Sequence, residues 1–197
     1  MCILPDNIEA RLAAVAPSGI QFTCATNAKG VCCSWCKLAN KDDLLSTAAL
    51  LKSLGARLST ITILQPKAPS APPPKEGETP VAPTNFGGTA NDGKTFEIDY
   101  HFDVDGDTLT LVVYVPYGGD VQSLTTLFRC ADWPERELME LYSVVVRGHP
   151  DPRRLFIDPG IDNAVLERLV PFSTLVNSAT TKGLWEKILA IQPRNGS

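Results

Sequence analysis

The chain has 197 residues, with 18 lysines and arginines against 22 acids and a net charge of −4. That length suits one core with loops to spare, and the mild acidity excludes nucleic acid as a main partner, because phosphate binding needs a clustered basic surface. No apolar run reaches the roughly 18 residues of a transmembrane helix, and Asp6 and Glu9 interrupt the start where a signal peptide would be apolar, so a cytoplasmic chain is expected.

A first helix is expected from about Asp6, after Pro5, with Ile8, Leu12 and Val15 on one face and Pro17-Ser18-Gly19 ending it. Ile20 to Thr23 and Val31 to Trp35 read as strands joined by a turn at Asn27-Ala28-Lys29-Gly30. Asp42 is placed to cap a second helix, whose Leu44, Leu45, Ala48, Leu51 and Leu54 form an apolar stripe ending at Gly55. Leu58 to Leu64 reads as a third strand. Seven prolines in the eighteen residues from Pro66 to Pro83 mark residues 66–94 as an exposed loop, because such a composition cannot form a ladder or bury enough apolar surface.

Phe96, Ile98, Tyr100, Phe102 and Val104 alternate with polar residues, as do Leu109, Leu111, Val113 and Val115. Asp105-Gly106 between them predicts a tight hairpin with one apolar face. Val121 to Phe128 is expected as a short helix, and another should begin near Pro134 with a capping-box spacing of Asp132 and Glu135. Arg136 and Glu140 are four apart, the spacing of an intrahelical pair. Val144 to Val146 should be extended, and a last amphipathic helix is expected over about Lys182 to Ile191. The expected fold is α+β: an α-β-β-α-β-β-β two-layer domain with a mixed sheet and helices on one face, then an irregular and helical C-terminal tail. The expected division is an α+β domain over 1–130, with the proline-rich insertion, and a signature segment and tail over 131–197.

The six cysteines lie at 2, 24, 32, 33, 36 and 130. Without a secretory signal, reduced thiols are favoured over a disulfide framework. Cys33-Ser-Trp-Cys36 has knuckle spacing, with Cys24 and Cys32 near it, but a zinc site of this kind needs a second such pair about 12 to 20 residues away. Structural thiols are the preferred reading, with Cys24, Cys32, Cys33 and Cys36 kept as candidate metal or redox residues. Asp99, Asp103, Asp105 and Asp107 do not make a calcium loop, since Thr108 and Tyr114 stand where Gly and Glu would be required, so a hairpin with outward polar residues is expected. His101 reads as a surface residue, and His149 has no nucleophile at a recognisable spacing. No glycine-rich nucleotide motif is present in the sequence.

The richest stretch is Trp133 to Leu155, WPERELMELYSVVVRGHPDPRRL. It sets Glu135-Arg136-Glu137 and His149-Pro150-Asp151-Pro152-Arg153-Arg154 around a short apolar run, which suits a rigid docking corner because guanidiniums and carboxylates pair well only in fixed geometry. This stretch resembles the signature of the small hydrophilic C-type subunit of respiratory complex I and of its relatives in membrane-bound, energy-converting nickel–iron hydrogenases. That signature reads roughly E-R-E-x-x-D-x-Y/F-G-V/I-x-F and then H-P-D-L-R-R. Glu135, Arg136, Glu137, Tyr142, Val144, His149, Pro150, Asp151, Arg153 and Arg154 match it, while Glu140, Ser143, Val146 and Pro152 replace its Asp, Gly, Phe and Leu.

The resemblance implies an accessory subunit without a redox centre or active site, attached through its partners to the cytoplasmic face of the cell membrane. The ending Thr180 to Lys187 looks more like the Ech-type hydrogenase subunit. That resemblance implies a ferredoxin-oxidising, proton-reducing, ion-translocating complex. The implied partners are the catalytic large subunit, an iron–sulfur small subunit and membrane subunits, with the nickel–iron centre and iron–sulfur clusters carried by those partners. The alternatives are the equivalent C-type subunit of a complex I-like NADH/quinone oxidoreductase and a cysteine-rich metal-binding or redox module. On the docking reading, the interface consists of Glu135, Arg136, Glu137, Glu140, Tyr142, His149, Pro150, Asp151, Arg153 and Arg154.

Overall fold

The computed structural model describes residues 3–65 and 82–157. The elements run α1 (Ile8–Val15), β1 (Ile20–Thr26), β2 (Cys32–Leu38), α2 (Leu44–Ser53), β3 (Arg57–Leu64), β4 (Thr95–Val104), β5 (Asp107–Pro116), β6 (Asp120–Gln122), α3 (Asp132–Leu141) and β7 (Val145–Arg147). Strands β1 to β5 form one mixed sheet in the order β1-β2-β5-β4-β3, with β2 and β5 parallel and the other neighbours antiparallel. The fold is therefore the α+β arrangement with a mixed sheet that the periodicity predicts.

Alternation puts one apolar face of the sheet inward. A single cross-strand row, Phe22, Cys36, Leu111, Tyr100 and Ile61, crosses all the strands of that sheet. Phe96, Tyr100 and Phe102 are fully buried, each contributing about 1.5–3 kcal/mol of apolar burial. Ile8 and Leu12 of α1, and Leu44, Ala48 and Leu51 of α2, complete the same core. The hairpin turn falls at Asp105-Gly106, both with positive φ, as a primed turn requires.

Several local expectations are corrected. Asp42 does not cap the second helix: the Asn40 side chain accepts from the Asp42 N–H at 3.0 Å, starting a short 3₁₀ turn that leads into α2. Val121 to Phe128 is not a helix. Val121 instead lies in β6, whose parallel pairing with β7 takes its backbone groups, and Leu124 to Phe128 forms only a turn. Gly119 shapes the entry to β6, since a Cβ there would lie 2.7 Å from the Pro116 carbonyl oxygen.

The hairpin acids are not all outward. Asp107 is buried and accepts from the backbone N–H groups of Leu4 (3.0 Å), Cys32 (2.8 Å) and Ile3, tying the N-terminal segment to the sheet. Burial opposes charge on Asp107, but those bonds prevail and hold its carboxyl below the ordinary range. Asp99 is also buried, with Oδ1 lacking a hydrogen bond, and burial, then Glu97, pushes it up to about 6. His101 is half-buried rather than at the surface: its ring bonds Thr62 and Thr110 and meets Trp35 edge-on.

Of the expected loop 66–94, the described part, 82–94, contains an isolated bridge between Thr84 and Ala90. Residues 66–81 and the expected helix from Lys182 to Ile191 lie outside the described residues.

Candidate docking site

The segment after β6 is organised by α3. Leu138 of α3 and Val144 and Val146 around β7 enter the main core, so this stretch is seated on the sheet. Tyr142 at the helix end meets Phe96 edge-on, 5.6 Å between centroids. That anchoring turns the polar face of α3 toward the chain on either side of it.

Glu135 has no exposed surface. Its Oε2 accepts from Ser123 Oγ at 2.6 Å and its Oε1 from the Leu124 N–H at 2.7 Å, so it stops the β6 chain from continuing as strand. Burial raises its carboxyl above the ordinary range, and the two hydrogen bonds and the nearby His149 only partly offset that. Asp132 does not act as a capping side chain: α3 begins at Asp132 itself, and its carboxylate sits 3.3 Å from His149 Nε2.

The His149 ring is almost wholly buried between α3 and the loop that follows β7. Its Nδ1 accepts from the Asp151 N–H at 3.0 Å. Nε2 lies 3.2 Å from the Asp132 carbonyl oxygen, to which its N–H donates. With both nitrogens engaged, the ring ties the loop after β7 to α3.

Arg136 and Glu140 do not form the intrahelical pair that their spacing suggests. Arg136 Nε donates to the Arg153 carbonyl and Nη2 to the Arg154 carbonyl, each at 2.8 Å. One turn on, Glu140 accepts from the N–H groups of Leu155 (3.2 Å), Phe156 (3.0 Å) and Ile157. Burial disfavours the Glu140 charge, yet those bonds outweigh it and hold the carboxyl below its ordinary range. The two side chains thus grip consecutive backbone carbonyls and then consecutive N–H groups, a clamp on main chain rather than on side chains.

Asp151 takes the Arg153 guanidinium bidentately, with both contacts at 2.7 Å, and this holds its carboxyl well below the usual carboxylate range. Arg153 is 81% exposed nonetheless. Pro150 and Pro152 are exposed, Glu137 points outward from α3, and Arg154 is half-buried. The interface expected from the signature therefore divides. Glu135, Arg136, Glu140 and His149 turn inward, while Glu137, Pro150 and Arg153 remain at the surface.

Trp133 and Phe156 are residues that the charge pattern does not bring forward. They are 61% and 66% exposed and lie edge-to-face, 6.4 Å apart. Their only signal in the sequence is position: both flank the charged runs. A groove of about 260 Å³ opens between β3 and α3, lined by Ile61, Ile63, Pro134, Glu137, Leu138 and Leu141 among others.

The cysteines behave differently. Cys33 and Cys36 point to opposite faces of β2, as their three-residue separation in a strand requires. Cys36 is buried and its thiol is pushed up to about 12 by that burial, then by Glu9. Cys32 is disulfide-bonded, a departure from the expectation of reduced thiols, whereas Cys24, Cys33, Cys36 and Cys130 are free.

Residues 38–174 match the family described as respiratory-chain NADH dehydrogenase, 30 Kd subunit. The chain belongs to this family. Among curated relatives, the C-type subunit of NADH-quinone oxidoreductase from Rhodopseudomonas palustris strain TIE-1 is 45% identical over 56 residues, covering 28% of each chain. The J-type subunit of NAD(P)H-quinone oxidoreductase from Prochlorococcus marinus strain NATL1A is 44% identical over 57 residues, 28% of this chain and 33% of the relative. The C-type subunit of the Mesorhizobium japonicum NADH-quinone oxidoreductase is 35% identical over 85 residues, covering 42% of each. The matched stretches thus span less than half the length of these relatives. A solved archaeal respiratory membrane complex, the membrane-bound sulfane sulfur reductase, contains a chain that superposes with a TM-score of 0.46 and 14% identity, covering 98% of this chain and 95% of that one. Among the described residues, no helix is long and apolar enough to cross a membrane.

Proposed function

We propose that this chain is the equivalent of the C-type subunit in a complex I-like NADH/quinone oxidoreductase, an accessory subunit that docks the catalytic large subunit of the peripheral arm and carries no redox centre itself. The observation that carries this reading is the family match over residues 38–174, joined to the intact spacing of the signature from Glu135 to Arg154. The geometry supports it from a second direction. Glu135, Arg136 and Glu140 hold backbone, and the buried His149 ties the following loop to α3, so the corner is built as a rigid surface of the kind a docking partner needs. Attachment to the membrane then comes through the partner subunits.

The hydrogenase assignment has less behind it. Its distinguishing residues, Thr180 to Lys187, lie outside the described residues, and the three curated relatives are quinone oxidoreductase subunits. Under that reading the partners would bear a nickel–iron centre. Tagging this chain and purifying the assembly from membranes separates the two. The expected result is a nickel-free complex that oxidises NADH with a quinone acceptor. Stoichiometric nickel with hydrogen evolution would replace this proposal with the hydrogenase one, and recovery of the chain without any oxidoreductase subunit would end both.

A further inference from the structure

Trp133 and Phe156 are an unfavourable feature on a free surface: two large rings, each more than half exposed, packed edge to face on a segment that is otherwise tightly held. Each ring is set by the buried part of the signature. Trp133 stands on the first turn of α3, whose next residues include the buried Glu135. Phe156 has its own N–H bonded to Glu140, and the residues just before it have their carbonyls bonded to Arg136. The backbone that carries each ring is thus held by partly buried bonds and by α3, so the pair is preorganised, and preorganised aromatic residues are what interface hot spots are made of.

We infer that the Trp133–Phe156 pair, with Glu137 beside it, is the contact through which a partner polypeptide holds this chain, and that Arg136 and Glu140 are positioning residues for it. This deepens the docking reading above and rests on it. The partner's chemistry follows from the patch. The two rings need an apolar slot. Trp133 and Glu137 are one helical turn apart, both exposed, so the partner places a lysine or arginine against Glu137. Arg153 already has its carboxylate in Asp151 and is not the charge that needs an answer. A lipid surface fits poorly, because Glu137, the exposed charge one turn from Trp133, would repel anionic headgroups, while Asp151 and Arg153 already neutralise each other. The groove between β3 and α3, with Glu137 in its lining, continues the same surface and gives the partner a concave edge to follow.

The test uses the tagged full-length chain in its membrane assembly, comparing wild type with Trp133→Ser/Phe156→Ser and with Glu137→Lys. The double variant should retrieve about tenfold less of the large subunit than wild type does, with an unchanged melting temperature for the purified chain. Glu137→Lys should weaken retrieval by a few-fold, with recovery as salt rises, because the new repulsion is screened. Glu140→Gln should lower both retrieval and melting temperature, as befits a residue acting through Phe156. Undiminished retrieval by the double variant would overturn the inference while leaving the subunit assignment standing. So would undiminished retrieval accompanied by loss of self-association or of binding to anionic vesicles, which would give the rings to a second copy or to lipid. Failure of wild type to retrieve any oxidoreductase subunit would instead remove the assignment on which the inference rests.

Discussion

Two clusters of acids and bases in this domain use their charges in different ways. Around α3, Glu135, Arg136 and Glu140 are bonded to backbone groups and to Ser123, away from solvent. Across β6 and β7, Lys41 donates to Asp120 at 2.9 Å, Arg147 contacts Asp120, and Asp42 lies within 3.7 Å of Arg147 and 3.6 Å of Lys41. There side chain meets side chain, with the Asp42 and Arg147 side chains 65% and 55% exposed. The first cluster sets the path of the chain. The second links the turn at Lys41–Asp43 to the paired β6 and β7 through side chains that water reaches and screens. The difference shows that a charge contributes structure in proportion to the backbone it satisfies out of water, and not to the number of opposite charges near it.

Substitutions should widen or erase that contrast. Glu135→Ala leaves the buried Leu124 N–H without its partner and takes the charged acceptor from Ser123, which keeps only its contacts with Thr125, and is expected to cost about 2 to 3 kcal/mol, roughly 4–12 °C in melting temperature. If calorimetry finds it no worse than a change in the Lys41 cluster, the comparison fails. Glu140→Gln should cost about 2 kcal/mol, somewhat less because solvent reaches part of its surroundings.

The two glutamates should also answer pH with opposite signs. Glu140 is held below the ordinary 4.5, so its contribution is full above that value and disappears as pH falls below it. Glu135 is raised above 4.5, so its charge costs stability that grows as pH rises from there. Denaturant melts between acid and neutral pH should therefore show a flatter acid limb for Glu140→Gln and a flatter upper limb for Glu135→Gln. Matching slopes for the two variants would refute the assignment.

Asp99→Asn removes a buried charge raised to about 6, with an oxygen that lacks a partner, and should be neutral or stabilising by about 1 kcal/mol at pH 7, an effect that vanishes in acid. A destabilised variant would mean that Asp99 is answered by a group in the folded chain after all. Smallest of all, Asp120→Asn should change stability by about 0–1 kcal/mol, and less still at high salt. A larger, salt-independent loss would erase the contrast from the other side.

Much of the frame is readable in the chain alone. The hairpin of Phe96 to Val115, the strand from Leu58 and the helix through Glu137 follow from alternation, turn residues and helical spacing, which are local. The departures share one cause. Val121 to Phe128 has the apolar spacing of a helix, but β7 and Glu135, both distant in sequence, claim its backbone. Arg136 and Glu140 have the interval of a pair, but each finds better partners in residues 153–157. Asp107 has the position of a turn acid, and instead bonds the N-terminal segment.

The order of elements as far as β5, the apolar face of the sheet, the family and the place of the signature are all legible in the residues alone, because period and spacing are encoded one residue at a time. Only the tertiary structure decided which charges face inward and which residues are left to meet another molecule. That choice depends on where backbone donors and acceptors from remote segments come to lie, and no local pattern carries that information. Around α3 it turned Glu135, Arg136 and Glu140 toward the chain itself and left Glu137, Arg153 and the rings of Trp133 and Phe156 outside.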